Sequence, residues 1–271
     1  MKKVISYSLY NARYKDVVNA IINCFLAQKI YKDWICRFYI DETVPDAIKK
    51  ALQTFSNVEI VEMPRHKQNE GLLWRFFAAA DDTVDVMISR DADSWLSYRE
   101  YSCVEQFLNS DKQFHIIRDH CYHSHKIMAG MWGSKKGCVN NFKNLIDEHI
   151  NSGMINDQRF LAEKIYPDVI NKCMIHLGDQ YDNKGNKTNG YFNDGGISIP
   201  NYTDHLIDNF SFIETNKLNA FHCAHCKKTH EVLIGGITEK IPQQAINYLK
   251  QYFADNGIDG SGFDRKDGNF A

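Results

Sequence analysis

The chain has 271 residues, 44% apolar and 24% charged, with 32 basic against 34 acidic side chains and a net charge of −2. That length supports one large domain, or one domain with an appended lobe, around a core of useful size. The balanced charge excludes the broad basic field of a nucleic-acid-binding protein and an acidic tail, and no run reaches the roughly 18 apolar residues of a membrane helix.

The chain opens on "MKKVISYSL", two lysines with no long apolar stretch behind them. It reads as a first strand, not a leader, and a soluble cytoplasmic protein is expected. "YKDVVNAIINCFLAQKI" repeats apolar residues at helical spacing, and "WICRFYID" alternates as a strand does. "VPDAIKKALQTF" carries Pro45 near its start, where proline suits a first helical turn. A strand "NVEIVEM", a helix "GLLWRFFAAADD", a strand "VDVMISRD", a helix "YREYSCVEQFLNS" and a strand "QFHIIRD" follow. Such alternation predicts an α/β fold with a mostly parallel central sheet flanked by helices. "GCVNNFKNLIDEHINSG" and "NDQRFLAEKIYP" read as helices, the second closed by Pro167, and "NKCMIHLG" reads as a short strand. "GDQYDNKGNKTNGYFNDGG" is a polar loop without a core-forming pattern. The tail offers one amphipathic helix, "QQAINYLKQYFADNG", and a glycine-rich end expected to fray. Eight cysteines, scattered through apolar elements, read as free thiols.

"SRDADS", residues 89–94, ends the mostly apolar run "VDVMI" with two carboxylates. Open α/β sheets bind ligands outside the carboxyl ends of their strands. On an extended chain residues i and i+2 share a face, so Asp91 and Asp93 can converge on one hard divalent cation, Mn²⁺ or Mg²⁺. Such an ion takes its other ligands from water and from phosphate oxygens, and it suits a nucleoside diphosphate leaving group. The plainer reading of an isolated D-x-D is a turn or helix cap; the apolar strand before it, the alternation of elements, and Arg90 and Ser94 beside it favour the ion.

"VDVMIS–RDADSW" resembles the D-x-D motif of GT-A glycosyltransferases. The likeness extends to an aromatic–Arg helix, "LLWRFF", an "RDH" segment, "IIRDHCYHSHKIMAGMWGSKKG", a "DQ-x-F-L…YP" helix and a histidine on a short strand, "MIHLG", in the order seen in bacterial and large-virus members of polysaccharide and glycan synthesis. The resemblance covers roughly residues 3–180. It implies a GT-A (Rossmann-like) nucleotide-sugar and acceptor-binding domain over residues 1–200 and a C-terminal extension of uncertain role over 201–271.

By the same resemblance, Asp91, Ala92 and Asp93 bind metal and donor, and His176 supplies a third ligand unless it is a buried structural histidine. Tyr7 or Tyr10 stacks on the base, with Ser8 and backbone groups at its edge, or else these strand tyrosines belong to the core. Arg75 braces the diphosphate or else snorkels from an amphipathic helix. Met131 and Trp132 wall the sugar site or else turn a core strand. Asp157, with Gln158 beside it, lies near the reacting sugar or caps its helix. In an inverting enzyme Asp157 is the general base; in a retaining one it orients sugar hydroxyls or stabilises charge at the anomeric carbon. A nucleotide-sugar donor, UDP-linked by commonest usage, and a glycan, lipid or protein acceptor are the implied partners.

"HCAHC" spaces Cys223 and Cys226 as half a structural zinc site, and "DHCYHSH" offers the densest second half. A zinc-containing, non-catalytic binding protein is therefore the competing reading, weakened by the absence of a second C-x₂-C and of basic runs longer than "KK". Nucleotidyl transfer and sugar-nucleotide hydrolysis keep the fold and the ion and change only the chemistry.

Overall fold

The structure, a computed structural model, describes residues 1–11, 13–65, 67, 69–120, 123–178, 180–181, 187–188, 192, 194–201, 221–222, 229–230 and 241–264. The strands are β1 (Lys3–Leu9), β2 (Trp34–Ile40), β3 (Val58–Glu62), β4 (Val86–Ser89), β5 (Phe114–Arg118), β6 (Trp132–Lys135) and β7 (Cys173–Leu177). Together with the short strand Ile197–Ser198 they form, among the described residues, one eight-stranded sheet. From that short strand inward the order is β7, β5, β6, β4, β1, β2, β3. All neighbours pair parallel except β6, which runs antiparallel to both β4 and β5. The fold class is therefore the expected one, α/β with a mostly parallel sheet between helices.

Alternate residues of the central strands feed two cores, as the two-residue period of a strand requires. Ile5, Tyr7, Leu9, Phe38 and Ile88 face one core, under α1 (Tyr14–Ile30), α2 (Asp46–Gln53) and the last helix, Gln243–Asp255. Val4, Tyr39 and Met87 face the other, with Trp74, Phe76, Phe142 and Phe160.

"GLLWRFFAAA" is a single turn of α-helix, α3 (Gly71–Trp74), running straight into a 3₁₀ segment, Arg75–Ala80. Two serines of β1 account for the change. Ser8 Oγ accepts the Arg75 N–H at 2.9 Å, and Ser6 Oγ donates to the Arg75 carbonyl at 2.6 Å. Both draw backbone groups away from α-helical pairing. α4 (Tyr98–Leu108) starts at Ser97, whose Oγ accepts the Glu100 N–H. α5 (Phe142–Asn151) follows Asn141 in the left-handed region.

The "NDQRFLAEKIYP" helix departs from expectation. α6 (Asp157–Phe160) widens into a π turn, Leu161–Ile165, and continues as α7 (Tyr166–Val169). Pro167 does not close it, because the wide turn puts the proline in a new first turn, where a missing N–H costs little.

The last helix is not separate from the rest. Phe25 of α1 packs edge-on to Tyr248 and Tyr252, and Ala245, Leu249 and Phe253 are fully buried in the α1–α2 core. Phe263 in the following 3₁₀ turn packs on Phe253, so the ordered path runs further than the glycine-rich tail suggested. Among the described residues no helix is long and apolar enough to cross a membrane.

Candidate active site

β1 and β4 are neighbours, and their carboxyl ends open on one cleft of about 80 Å³ lined by Ser8, Tyr10, Arg13, Asp16, Leu72, Arg75, Asp91, Ala92 and Asp93. β4 ends at Ser89, one residue before Arg90. The D-x-D is therefore not extended. It lies in a tight turn closed by Ser94 N–H to the Asp91 carbonyl at 3.2 Å. Asp91 and Asp93 share the cleft because the turn puts them there, not because of strand alternation.

α1 fixes that turn. The Asn23 side-chain amide donates to the carbonyls of Ala92 (3.1 Å) and Ser94 (2.9 Å) and accepts the Leu96 N–H (3.1 Å). One helical turn earlier, Asn19 accepts the Trp95 indole N–H at 2.7 Å. Both asparagines are fully buried. No motif marks them, but the sequence carries a signal: two amides four residues apart inside an apolar helix face must find buried partners. Arg90, flanking the motif, turns into the core and pairs with Glu100 at 2.6 Å; Tyr31 donates to the same carboxylate.

Arg75 joins the two halves of the cleft. Its Nη1 pairs with Asp91 Oδ1, and its Nη2 lies 3.1 Å from Asp157 Oδ2. Burial alone would lower the guanidinium's pKa, but Asp91 and Asp157 outweigh it and hold the value above the ordinary one. Its backbone is gripped by Ser6 and Ser8, so this arginine is positioned and does not snorkel. Ser8 is thereby occupied as an acceptor. Asp157 is the first residue of α6, not its cap: Asn156 accepts the Arg159 N–H at 2.7 Å and takes the capping role. Gln158 is half-buried next to it, its N–H bonded to Asp157 Oδ1.

Two glycines let these groups approach. A methyl at Gly130 would overlap the Asp91 carboxylate, so "MAGMWG" makes room for a protein side chain at this position. A methyl at Gly71 would fall 2.5 Å from the Tyr10 ring. That ring also meets Trp74 edge-on at 5.7 Å. Asp93 pairs with Lys15 at 3.0 Å, and Arg13 with Asp16 at 2.6 Å. Burial raises the Asp16 pKa against the pull of Arg13. Lys15, Arg13 and Asp16 were not foreseen; charged residues in a helix's first turn read as ordinary solvated ones.

Four expected site residues are elsewhere. Tyr7 is fully buried and stacks on Phe38 at 4.8 Å, so it offers no face to a base. Trp132 is fully buried among Phe114, Phe76 and Phe142, and Met131 packs with Cys103 and Ile117; neither presents a surface to a sugar. His176 is buried with both ring nitrogens engaged, Nδ1 to His115 Nε2 (2.8 Å) and Nε2 to Gln106 Oε1 (2.9 Å). Burial lowers its pKa to about 4, so it is a neutral structural link between β7, β5 and α4. A different histidine feels Asp91. His123 accepts the Asp119 N–H on Nδ1 at 3.1 Å, and burial together with His120 lowers its pKa to about 3 against the opposing pull of Asp91.

Among the described residues no group of three or more His, Cys, Asp and Glu side chains is placed to hold a metal. Asp91 and Asp93 both line the cleft and are the carboxylates that would offer oxygen ligands to a hard divalent cation. Cys121, Cys223, His225 and Cys226, and with them the zinc expectation, lie outside the described residues.

Sheet and cleft together define an α/β protein with a charged cleft at the carboxyl ends of its central strands. No family model matches the chain, and no curated protein does. Among solved structures it is similar to a glycosyltransferase involved in the glycosylation of the major capsid of PBCV-1, at 12% identity over 65% of this chain and 82% of that one, TM-score 0.45. It is also similar to 4-diphosphocytidyl-2C-methyl-D-erythritol synthase from Anaerococcus prevotii (11%, 66% and 87%, TM-score 0.45). A third is the galactosyltransferase LgtC in complex with donor and acceptor sugar analogues (9%, 64% and 73%, TM-score 0.45). At these scores the likenesses carry no weight of their own, and the fold class rests on the strand order and directions of the chain itself.

Proposed function

We propose that this chain is a cytoplasmic, metal-dependent glycosyltransferase that moves a sugar from a nucleoside diphosphate, most simply UDP, to a hydroxyl of a glycan, lipid or protein. The observation that carries the reading is the meeting of Asp91, Asp93 and Arg75 in one cleft at the carboxyl ends of β1 and β4, with Asp157 tied to it through Arg75. Asp91 and Asp93 would hold Mn²⁺ or Mg²⁺, which supplies positive charge against a departing diphosphate. Arg75 braces that diphosphate. The Tyr10 ring, backed by Gly71 and Trp74, stacks on the base. Asp157 takes the acceptor proton in an inverting reaction; in a retaining one it orients sugar hydroxyls or stabilises charge at the anomeric carbon. Gln158 hydrogen-bonds the sugar beside it.

Thermal shift with UDP-, GDP-, CMP- and dTDP-linked sugars, with and without Mn²⁺, tests the reading. One donor should stabilise the chain in a metal-dependent way, and Asp93→Ala should erase that shift without unfolding the protein. Full-strength nucleotide binding after that substitution rules out the metal assignment. The products separate the neighbouring chemistries: nucleoside diphosphate with a glycosylated acceptor marks sugar transfer, nucleoside diphosphate with free sugar marks hydrolysis, and inorganic pyrophosphate released from a nucleoside triphosphate supplied with a sugar 1-phosphate marks nucleotidyl transfer.

A further inference from the structure

Each carboxylate of the D-x-D is already neutralised by a cation from another element. Arg75 of the 3₁₀ segment holds Asp91, and Lys15, the second residue of α1, holds Asp93 with Nζ 3.0 Å from Oδ2. The Lys15–Asp93 pair is sheltered, the side chains being 29% and 12% exposed. A divalent ion approaching Asp93 therefore meets an ammonium already seated on Oδ2. If that ammonium stayed, it would face a dication at a few ångströms, which a partly dehydrated cleft disfavours strongly. Diphosphate oxygens would relieve the conflict by giving the displaced ammonium a new anionic partner.

We propose that Lys15 is a further substrate-binding residue, which leaves Asp93 for the diphosphate when the ion arrives, so that ion and nucleotide bind cooperatively and each binds weakly alone. Lys15 sits in the first turn of the helix that follows β1, beside the cleft-lining Arg13 and Asp16, so the exchange needs only a side-chain rotation. The inference rests on the glycosyltransferase reading only in requiring a divalent ion and a diphosphate; it does not depend on which sugar moves.

Mn²⁺ titration by calorimetry on the full chain, alone and with saturating UDP, GDP, CDP or dTDP in parallel, tests it. The wild-type chain should bind Mn²⁺ about tenfold more tightly when its preferred nucleoside diphosphate is present. Lys15→Gln should bind Mn²⁺ alone more tightly than wild type, because Asp93 is released. The same variant should lose nucleotide affinity, with the coupling reduced to about twofold. Lys15→Arg should restore most of the coupling. A merely structural lysine would weaken both ligands on removal and could not tighten the ion. Unchanged coupling in Lys15→Gln overturns the inference alone. If the wild-type chain binds none of the four nucleotides in an Mn²⁺-dependent way, the functional reading falls and the inference falls with it.

Discussion

A single methyl group tests the geometry of the cleft. Gly130 lies directly against Asp91, so Gly130→Ala forces the carboxylate to swing or the 128–131 turn to retreat. Overpacking of this kind costs about 1–3 kcal/mol. Here the burden falls mainly on a side chain that is partly exposed. Gly130→Ala should therefore leave the unfolding temperature near wild type and weaken Mn²⁺-dependent nucleotide binding tenfold or more; thermal melts beside calorimetry would show the two effects apart. At this scale the sequence was readable where chemistry and position coincide: Asp91, Asp93, Arg75 and Tyr10 follow strand ends or an aromatic–Arg turn, and all line the cleft. It was not readable where only burial decides. Tyr7, Met131, Trp132 and His176 have side chains suited to ligands, and the sequence does not say that Phe38, Cys103, Phe114 and His115 have already covered them.

Helix α1 does more than cover the sheet, because its two buried asparagines set the path of residues 92–96. They form a matched pair for experiment. Asn19→Ala and Asn23→Ala each leave buried polar partners unmet, and each should cost roughly 1–3 kcal/mol in urea unfolding. Only Asn23 touches the carbonyls between and after the aspartates. Asn23→Ala should thus also weaken metal-dependent nucleotide binding, whereas Asn19→Ala should lose stability with binding intact. Equal binding loss in both would mean that the D-x-D turn holds its shape without Asn23. The helical period of α1 was legible from its apolar spacing, since five turns average out local exceptions. The 3₁₀ segment after Trp74 and the π turn after Phe160 were not. They arise from contacts made by distant residues, Ser6 and Ser8 in the first case, and local pattern carries no trace of them.

For the whole molecule, the last helix belongs to the α1–α2 core. Leu249 is fully buried there. Leu249→Ala should lower the stability of one cooperative unfolding transition by ~2–5 kcal/mol. A separate lobe would instead melt on its own and leave the main transition in place. The alternation of elements made the parallel sheet predictable, but not the direction of β6. Four residues, "WGSK", are too few to show a period, and a strand's direction is set by what it joins.

That direction has a spatial consequence. Trp132 faces Ser89 and Lys135 faces Val86, so this rung begins level with the point where β4 stops. Had it pointed the same way as its neighbours, residues 128–131 would emerge at the opposite rim, roughly 10 Å away at ~3.3 Å per residue. By turning one rung around, the polypeptide brings a departure and an arrival to the same doorway, and that is how Gly130 comes to sit against Asp91.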